Sequence, residues 1–401
     1  MTVASEGELV DTTAGEESAT AAEKAPRSPA RVAHVLLSLR TGGAERVVVD
    51  LANCAGPGFA PCLICLESSG PMANELRSPV PPVAAMNRTP GFRPWLALPL
   101  SRHLRRLGAR VVHTHNSAAG FYGALAARLA GLPVVQTKHG QNLSGGNQRA
   151  LNRLAYRLTH EVVAVSPPAL ELARSEGARP DRLRIIDNGV DASRFQDGPT
   201  RRAATRRALA VGEDTILIGT LGRLVAPKNQ RLLIESAGEA VARGGPPALL
   251  VIVGDGPERP ALEAAAKRVP PRLRVVFAGI GRAEDWLPAF DLFALSSDSE
   301  GLPVALLEAM ACALPAVVTA VGAVPQVVDE GRAGLLVPPR DPASLAGALA
   351  SLIADPALRA ALGARGLRRV SERYSAERMA SEYEAVYRRL LASPSAGRVA
   401  R

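Results

Sequence analysis

The sequence predicts an α/β protein of two Rossmann-like lobes, each a parallel sheet wrapped by helices, with the carboxyl edges of the two sheets facing a cleft. Three observations predict it. Short β-branched runs alternate with longer amphipathic stretches, twice over, across 401 residues. Glycine-bearing turns recur where an apolar run ends and a helical pattern begins. Between the two series, residues 196–212 lose the apolar pattern and suit a linker.

In the first series, strands are expected at residues 31–39, 60–66, 111–115, 133–138, 161–166 and 183–188. Amphipathic helices are expected at 44–55, 93–107, 118–129 and 147–159. In the second, strands are expected at 215–221, 248–253, 273–278, 291–295, 316–319 and 334–337, again separated by helices. Strand–helix–strand order implies right-handed crossovers and sheets buried on both faces. Ligands then bind beyond the carboxyl ends of the strands.

Composition narrows the classes. Hydrophobic residues make up 47%, enough for two large cores, and no apolar run reaches the length of about 20 residues that spans a bilayer. Residues 1–30 hold six acids against two bases and are rich in Ala, Ser and Thr. They read as a disordered tail without the order of a secretory signal. The chain carries +10 overall, so the rest is strongly basic and suits an anionic partner. Aromatic residues at 3%, with no zinc-finger or RNA-binding signature, argue against nucleic acid. A membrane surface or a phosphorylated substrate fits better. Cys62 and Cys65 have C-x-x-C spacing but lie inside an expected strand and read as buried apolar residues, with the cytoplasm as the default compartment.

The most informative segment is Glu300-Gly301-Leu302-Pro303, which runs through an apolar stretch to Glu308. It reads as a loop entering a helix, with Pro303 in the first turn. A helix start offers free N–H groups and positive potential to a phosphate. Glu300 then stands at the mouth and Glu308 about two turns deeper. Gly42-Gly43 permits close approach of a ligand to the backbone ahead of a helix. Arg223 and Lys228, on the loop after the first strand of the second series, can bracket a diphosphate. Gly254-Asp255-Gly256 ends the next strand. Ala278-Gly279-Ile280 ends the one after and offers a backbone surface to a flat base. His113, His115 and His139 lie at strand ends of the first series; with no acid or Cys set beside them, no metal is expected.

In register, these segments are similar to glycosyltransferase family four over nearly all of residues 31–393. They are Gly42-Gly43, His139-Gly140, Asn188-Gly189-Val190-Asp191, Gly222-Arg223 with Lys228, Gly254-Asp255-Gly256, Ala278-Gly279, Glu300 with Glu308, and Tyr374-Ser375-Ala376-Glu377. The resemblance implies a GT-B fold and metal-independent, retaining transfer from a nucleotide sugar, with no cofactor. It implies an acceptor-side domain at 31–195, the linker at 196–212, a nucleotide-sugar domain at 213–373 and a helix at 374–393 crossing back onto the first domain. It implies that Arg223 and Lys228 hold the donor diphosphate, Glu308 the ribose and Glu300 the sugar. The N–H groups of Gly301 and Leu302 would meet sugar or phosphate. Gly42, Gly43, Gly254 and Ile280 would line the donor, and His139 the 6-position of the sugar. Gly322-Ala323-Val324-Pro325-Gln326 departs from the family's later Gly-Gly and Glu, which bears on sugar choice.

The expected activity is transfer from a UDP-sugar, or GDP-mannose, to a glycan or lipid-linked acceptor in cell-surface polysaccharide, lipopolysaccharide or glycolipid synthesis. The expected place is the cytoplasm, on the anionic inner face of the plasma membrane through basic helix faces at Arg102, Arg105 and Arg106 and at Arg149, Arg153 and Arg157. A nucleotide-sugar epimerase of the same fold and a non-catalytic nucleotide-sugar-binding subunit are the alternatives.

Overall fold

A computed structural model describes residues 28–77, 83–89, 91–140, 146–212, 214–244 and 246–393. The expected acidic tail therefore lies, up to residue 27, outside the described residues. The first domain carries β1 (Ala30–Leu36), α1 (Gly43–Asn53), β2 (Phe59–Cys65), β3 (Ala84–Ala85), α2 (Ala97–Arg106), β4 (Val111–His115), α3 (Ser117–Ala130), β5 (Val134–Lys138), α4 (Gly146–Leu158), β6 (Glu161–Ala164), α5 (Pro167–Ser175) and β7 (Leu183–Ile185). The second carries α6 (Gly198–Ala208), β8 (Ile216–Leu221), α7 (Gln230–Ala242), β9 (Ala248–Val253), α8 (Arg259–Ala266), β10 (Leu273–Gly279), α9 (Ala283–Trp286), β11 (Leu292–Leu295), α10 (Val304–Ala311), β12 (Ala316–Thr319), α11 (Val324–Val327), β13 (Leu335–Val337), α12 (Pro342–Ala354) and α13 (Pro356–Arg373). The last helix is α14 (Ala376–Ala392).

Both sheets are parallel, in the orders β3-β2-β1-β4-β5-β6-β7 and β10-β9-β8-β11-β12-β13. Each order reverses once, between β1 and β4 and between β8 and β11. Crossover helices leave to opposite faces there, so a crevice opens at the carboxyl ends. Period-two alternation decides which side chain goes where. In β1, Ala33 and Val35 pack with Leu100, Leu104, Ala124 and Ala155 of α2–α4. Val32 points to the other face, into a cluster with Val47 and Leu51 of α1 and with Met379, Tyr383 and Tyr387 of α14.

That second cluster shows α14 returning to cover the first domain. The return is anchored where the chain passes twice between the domains. Val190 N–H donates to the Tyr374 carbonyl at 2.9 Å, and Ala376 N–H donates to the Val190 carbonyl at 3.1 Å. A Cβ on Gly189 would lie 2.3 Å from the Ser375 carbonyl oxygen, so the crossing strands touch there only because residue 189 is glycine.

Two expectations need correction. Residues 198–208 are not a polar connector but helix α6, docked on the second domain. Arg202 and Arg206 pair with Asp291 at 2.9 and 3.1 Å, and Thr205 Oγ1 donates to the Asp285 carbonyl at 2.7 Å. Its contacts are largely ionic, so apolar periodicity does not report it. Pro303 caps α10 rather than filling its first turn. Cys62 and Cys65 are buried in β2, and burial pushes their thiols up to about 11 and about 12.

Candidate active site

The two loops leaving the switch point of the second sheet carry its chemistry. After β8 comes the loop with Arg223 and Lys228. After β11 comes the loop with Glu300. They are stitched together. Asp298 N–H donates to the Pro227 carbonyl at 2.8 Å, Asn229 Nδ2 to Asp298 Oδ1 at 3.0 Å, and Ser296 Oγ to the Asn229 carbonyl at 2.9 Å. Asn229 adopts φ +45°, a left-handed turn that starts α7 and swings Lys228 toward Glu300. Lys228 Nζ meets Glu300 Oε1 at 2.5 Å, and Ser297 Oγ donates to the same oxygen at 2.6 Å. Glu300 is buried, while Lys228 keeps a quarter of its side chain exposed. A cation fixed in a low-dielectric loop is preorganised for an incoming anion.

The glycines at the ends of β8, β9 and β10 make the platform beside this pair. Gly254 N–H donates to the Gly279 carbonyl at 2.7 Å. Gly254 has φ +144°, and a Cβ there would lie 1.9 Å from the Gly222 carbonyl oxygen. Ile280, next in line, is 70% exposed.

The first domain closes from the other side. A Cβ on Gly301 would meet the His139 carbonyl oxygen at 3.1 Å and Gly140 Cα at 3.4 Å; one on Gly43 would meet Val304 Cγ2 at 3.6 Å. The structure thus brings Gly42–Gly43, His139–Gly140 and the 300–304 segment to one seam. Arg223 is exposed, and its positive charge acts on Glu45 in the first turn of α1. Burial raises the Glu45 carboxyl, and its own backbone N–H and Arg223 pull it partly back.

His139 heads a buried relay. Its Nε2 lies 3.0 Å from His115 Nδ1, whose Nε2 lies 3.1 Å from His34 Nδ1. His139 Nδ1 is buried without a partner. Beside this file, His113 binds the Tyr387 hydroxyl and Thr137 Oγ1, each at 2.7 Å. Burial lowers all four imidazoles, His34 and His139 to about 4 and His113 and His115 well below the usual range, so they are neutral at pH 7. The ligand atoms of His34, His113 and His115 lie within 4.8 Å of one another. Yet both His113 nitrogens are taken by hydroxyls, and among the described residues no carboxylate hydrogen-bonds to the trio to offset a dication. The arrangement suits a hydrogen-bond relay better than a metal centre.

Glu308 and Leu302 sit away from the open cleft. The Leu302 side chain belongs to the core, so only its backbone can meet a ligand. Glu308 is buried on α10 and accepts from Arg194 Nη1 at 2.8 Å. Arg194 also donates Nε to Glu284 Oε1 at 2.8 Å and lies 3.7 Å from Asp50 Oδ2 of α1. Burial pushes Glu284 up, but the Arg194 hydrogen bond and charge outweigh it and hold the group at about 2. Asp50 is raised to about 7 by burial, against the pull of Arg194 and Arg46. The sequence reading missed Arg194, Asp50 and Glu284. One signal was available: Asp50 interrupts the run Val47-Val48-Val49 and Leu51 on the inward face of α1.

Residues 41–194 match the model of Glycosyltransferase Family 4, and residues 215–355 that of Glycosyl transferases group 1. The D-inositol 3-phosphate glycosyltransferase of Saccharomonospora viridis is 32% identical over 313 residues, 71% of this chain and 70% of that protein. The alpha-maltose-1-phosphate synthase of Mycolicibacterium smegmatis is 30% identical over 315 residues, 71% and 80% of the two chains. Among solved structures, Anabaena HepE in complex with UDP and glucose superposes with TM-score 0.75 at 22% identity, covering 88% of this chain and 98% of its own.

Proposed function

Because the chain belongs to the group 1, family 4 glycosyltransferases, has the GT-B fold and transfers a glycosyl group from a nucleotide-sugar donor, we propose that it uses a UDP-sugar and retains the anomeric configuration. The observation that carries the reading is the Lys228–Glu300 pair, held at the switch point beside the segment whose Gly301 and Val304 meet the first domain across the seam. Lys228 and Arg223 supply positive charge for a diphosphate, and Glu300 supplies an acceptor for a sugar hydroxyl. The glycine ends of β8–β10 and the exposed Ile280 offer a flat surface for a base. Support for uracil comes from HepE, whose crystal holds UDP and glucose.

The chemistry needs no protein nucleophile. The anomeric C1–O bond to the β-phosphate breaks while C1 bonds to the acceptor oxygen on the same face. The acceptor proton passes to the departing phosphate oxygen. The protein's part is to exclude water, align the acceptor and stabilise the charge on the leaving diphosphate. The unpartnered Nδ1 of neutral His139 is buried at the seam, so it would meet a sugar hydroxyl only where donor binding opens that contact.

For the acceptor, we favour a glycan or lipid-linked hydroxyl of cell-surface polysaccharide or glycolipid synthesis. A phosphorylated small acceptor is the second reading, supported by the names of the two relatives above, an inositol 3-phosphate glycosyltransferase and a maltose-1-phosphate synthase. A thermal-shift panel of nucleotide sugars identifies the donor, since a ligand of the native state raises its stability. Labelled transfer to inositol 3-phosphate, to glucose 1-phosphate and to a membrane lipid extract then separates the acceptors. No stabilisation by any nucleotide sugar would end the proposal. A released epimer without acceptor would favour the epimerase reading.

A further inference from the structure

Residues 76–160 contain eleven arginines and one lysine and no aspartate or glutamate. At the chain's average acid content a stretch of this length would hold about eight. Its +12 exceeds the +10 of the whole chain, so the rest of the protein is slightly acidic. Apart from Arg77 with Asp191, Arg88 with Glu67 and Lys138 with Glu176, none of these bases forms an ion pair among the described residues.

Seven of the remaining nine lie on one layer, Arg102, Arg105 and Arg106 on α2, Arg128 on α3 and Arg149, Arg153 and Arg157 on α4. Helices α2, α3 and α4 lie side by side over one face of the first sheet and bury Leu100, Leu104, Ala124 and Ala155 against it. On α2 the outward positions are Leu98, Pro99, Arg102, Arg105 and Arg106; on α4 they are Arg149, Ala150, Arg153, Leu154 and Arg157. Exposed apolar side chains stand among the arginines: Trp95 at 68%, Phe92 at 58%, Leu98 at 47%, Leu129 at 46% and Leu154 at 44%. Arg105 donates to the Leu129 carbonyl, tying α2 to the end of α3.

We propose that this layer docks the enzyme on an anionic lipid bilayer, with Trp95, Phe92 and Leu98 entering the headgroup region and the arginines of α2 and α4 against the lipid phosphates. The pattern of exposed aromatic and leucine side chains interleaved with arginine is that of an interfacial surface. Arginine stems can lie on apolar surface while their heads reach phosphate. Nucleic acid would use the charge but leave the leucines without a partner. A second copy of this chain would meet the face with the same charge. No single helix among the described residues is long and apolar enough to cross a membrane. The inference does not depend on which acceptor is used.

The test uses the full chain with Trp286→Phe, which leaves Trp95 as the one tryptophan of the two. Vesicles of phosphatidylglycerol and phosphatidylcholine are compared with phosphatidylcholine alone, by sedimentation and by Trp95 emission. The expected result is sedimentation with the anionic vesicles only, reversal by salt, and a blue shift of Trp95. The triple changes Arg102→Gln, Arg105→Gln, Arg106→Gln and Arg149→Gln, Arg153→Gln, Arg157→Gln should each weaken partition at least tenfold, and Trp95→Ala should weaken it without changing the salt dependence. The α4 triple variant touches no Leu129 contact, so it stands if loss of Arg105 lowers the melting temperature. Equal partition to both vesicle types, or unmoved Trp95 emission in the bound state, would overturn the proposal. So would tight RNA binding without vesicle binding.

Discussion

Arg194 Nη1 lies 2.8 Å from Glu308 Oε1, so the second glutamate of the paired signature is held by a guanidinium from the domain crossing. The same group serves Glu284 and Asp50, which places one buried cation among three carboxylates from α1, α9 and α10. The ribose contact that the resemblance implies for Glu308 would have to share or displace this one, which would couple donor binding to the packing of α1 against α10.

Removing the cation leaves buried Glu308 without an ion pair among the described residues and takes from Glu284 its close hydrogen bond. Arg194→Ala should destabilise the protein by about 3 kcal/mol or more. Urea denaturation at pH 7.5 measures it. A loss below about 1 kcal/mol would show that the acids escape to water without it.

Lys228 and Arg223 should separate in their effects. Lys228 is fixed by Glu300, so Lys228→Ala removes a preorganised charge and should lower kcat by about 10²–10³. Arg223 makes no side-chain hydrogen bond among the described residues and acts on Glu45 through space. Arg223→Ala should therefore fall mainly on KM for the donor. Steady-state kinetics with varied nucleotide sugar decide it, and wild-type turnover in Lys228→Ala would mean that the leaving group is stabilised elsewhere.

The strand-end glycines, the 300–308 segment and the basic loop were legible because each is local: a turn, a helix start, a short spacing. The Arg194 cluster was not, since its partners lie at residues 50, 284 and 308 and meet only through domain packing. Helix α6 was hidden because ionic contacts to Asp291 replace the apolar stripe that periodicity detects. His34 was invisible as a partner of His113 and His115 until the sheet order placed β1 beside β4, with His34 in register with His113.

The histidine file makes stability depend on pH with a definite sign. The folded pKa of His34 and His139 is about 4, against an ordinary value near 6.5. Between those values the unfolded chain binds more protons, so stability is complete above about pH 6.5 and falls as pH drops toward 4. Asp50, raised to about 7, opposes this over about pH 4–7, because there the folded state holds its proton. Urea midpoints should therefore decline from pH 6.5 to 4.5, and more steeply in Asp50→Asn. A flat profile in that variant would show that the histidines open to solvent before they titrate.

Two glycines of the seam should respond differently to the same methyl group. Gly322 has φ +59°, and its Cβ would lie 2.1 Å from the Glu300 carbonyl oxygen within one domain, where nothing can yield. Gly322→Ala should cost about 2 kcal/mol or more of stability through strain and overpacking. At Gly301 the obstruction is the His139 carbonyl oxygen at 3.1 Å, and it belongs to the other domain. Displacing it by a few tenths of an ångström means opening the seam, not straining a core. Gly301→Ala should keep its unfolding free energy within about 0.5 kcal/mol of wild type yet lower kcat/KM at least tenfold, since small misplacement of a reacting group is costly. Measuring both variants in both assays tests whether catalysis requires this closed contact; full activity in Gly301→Ala would show that it does not.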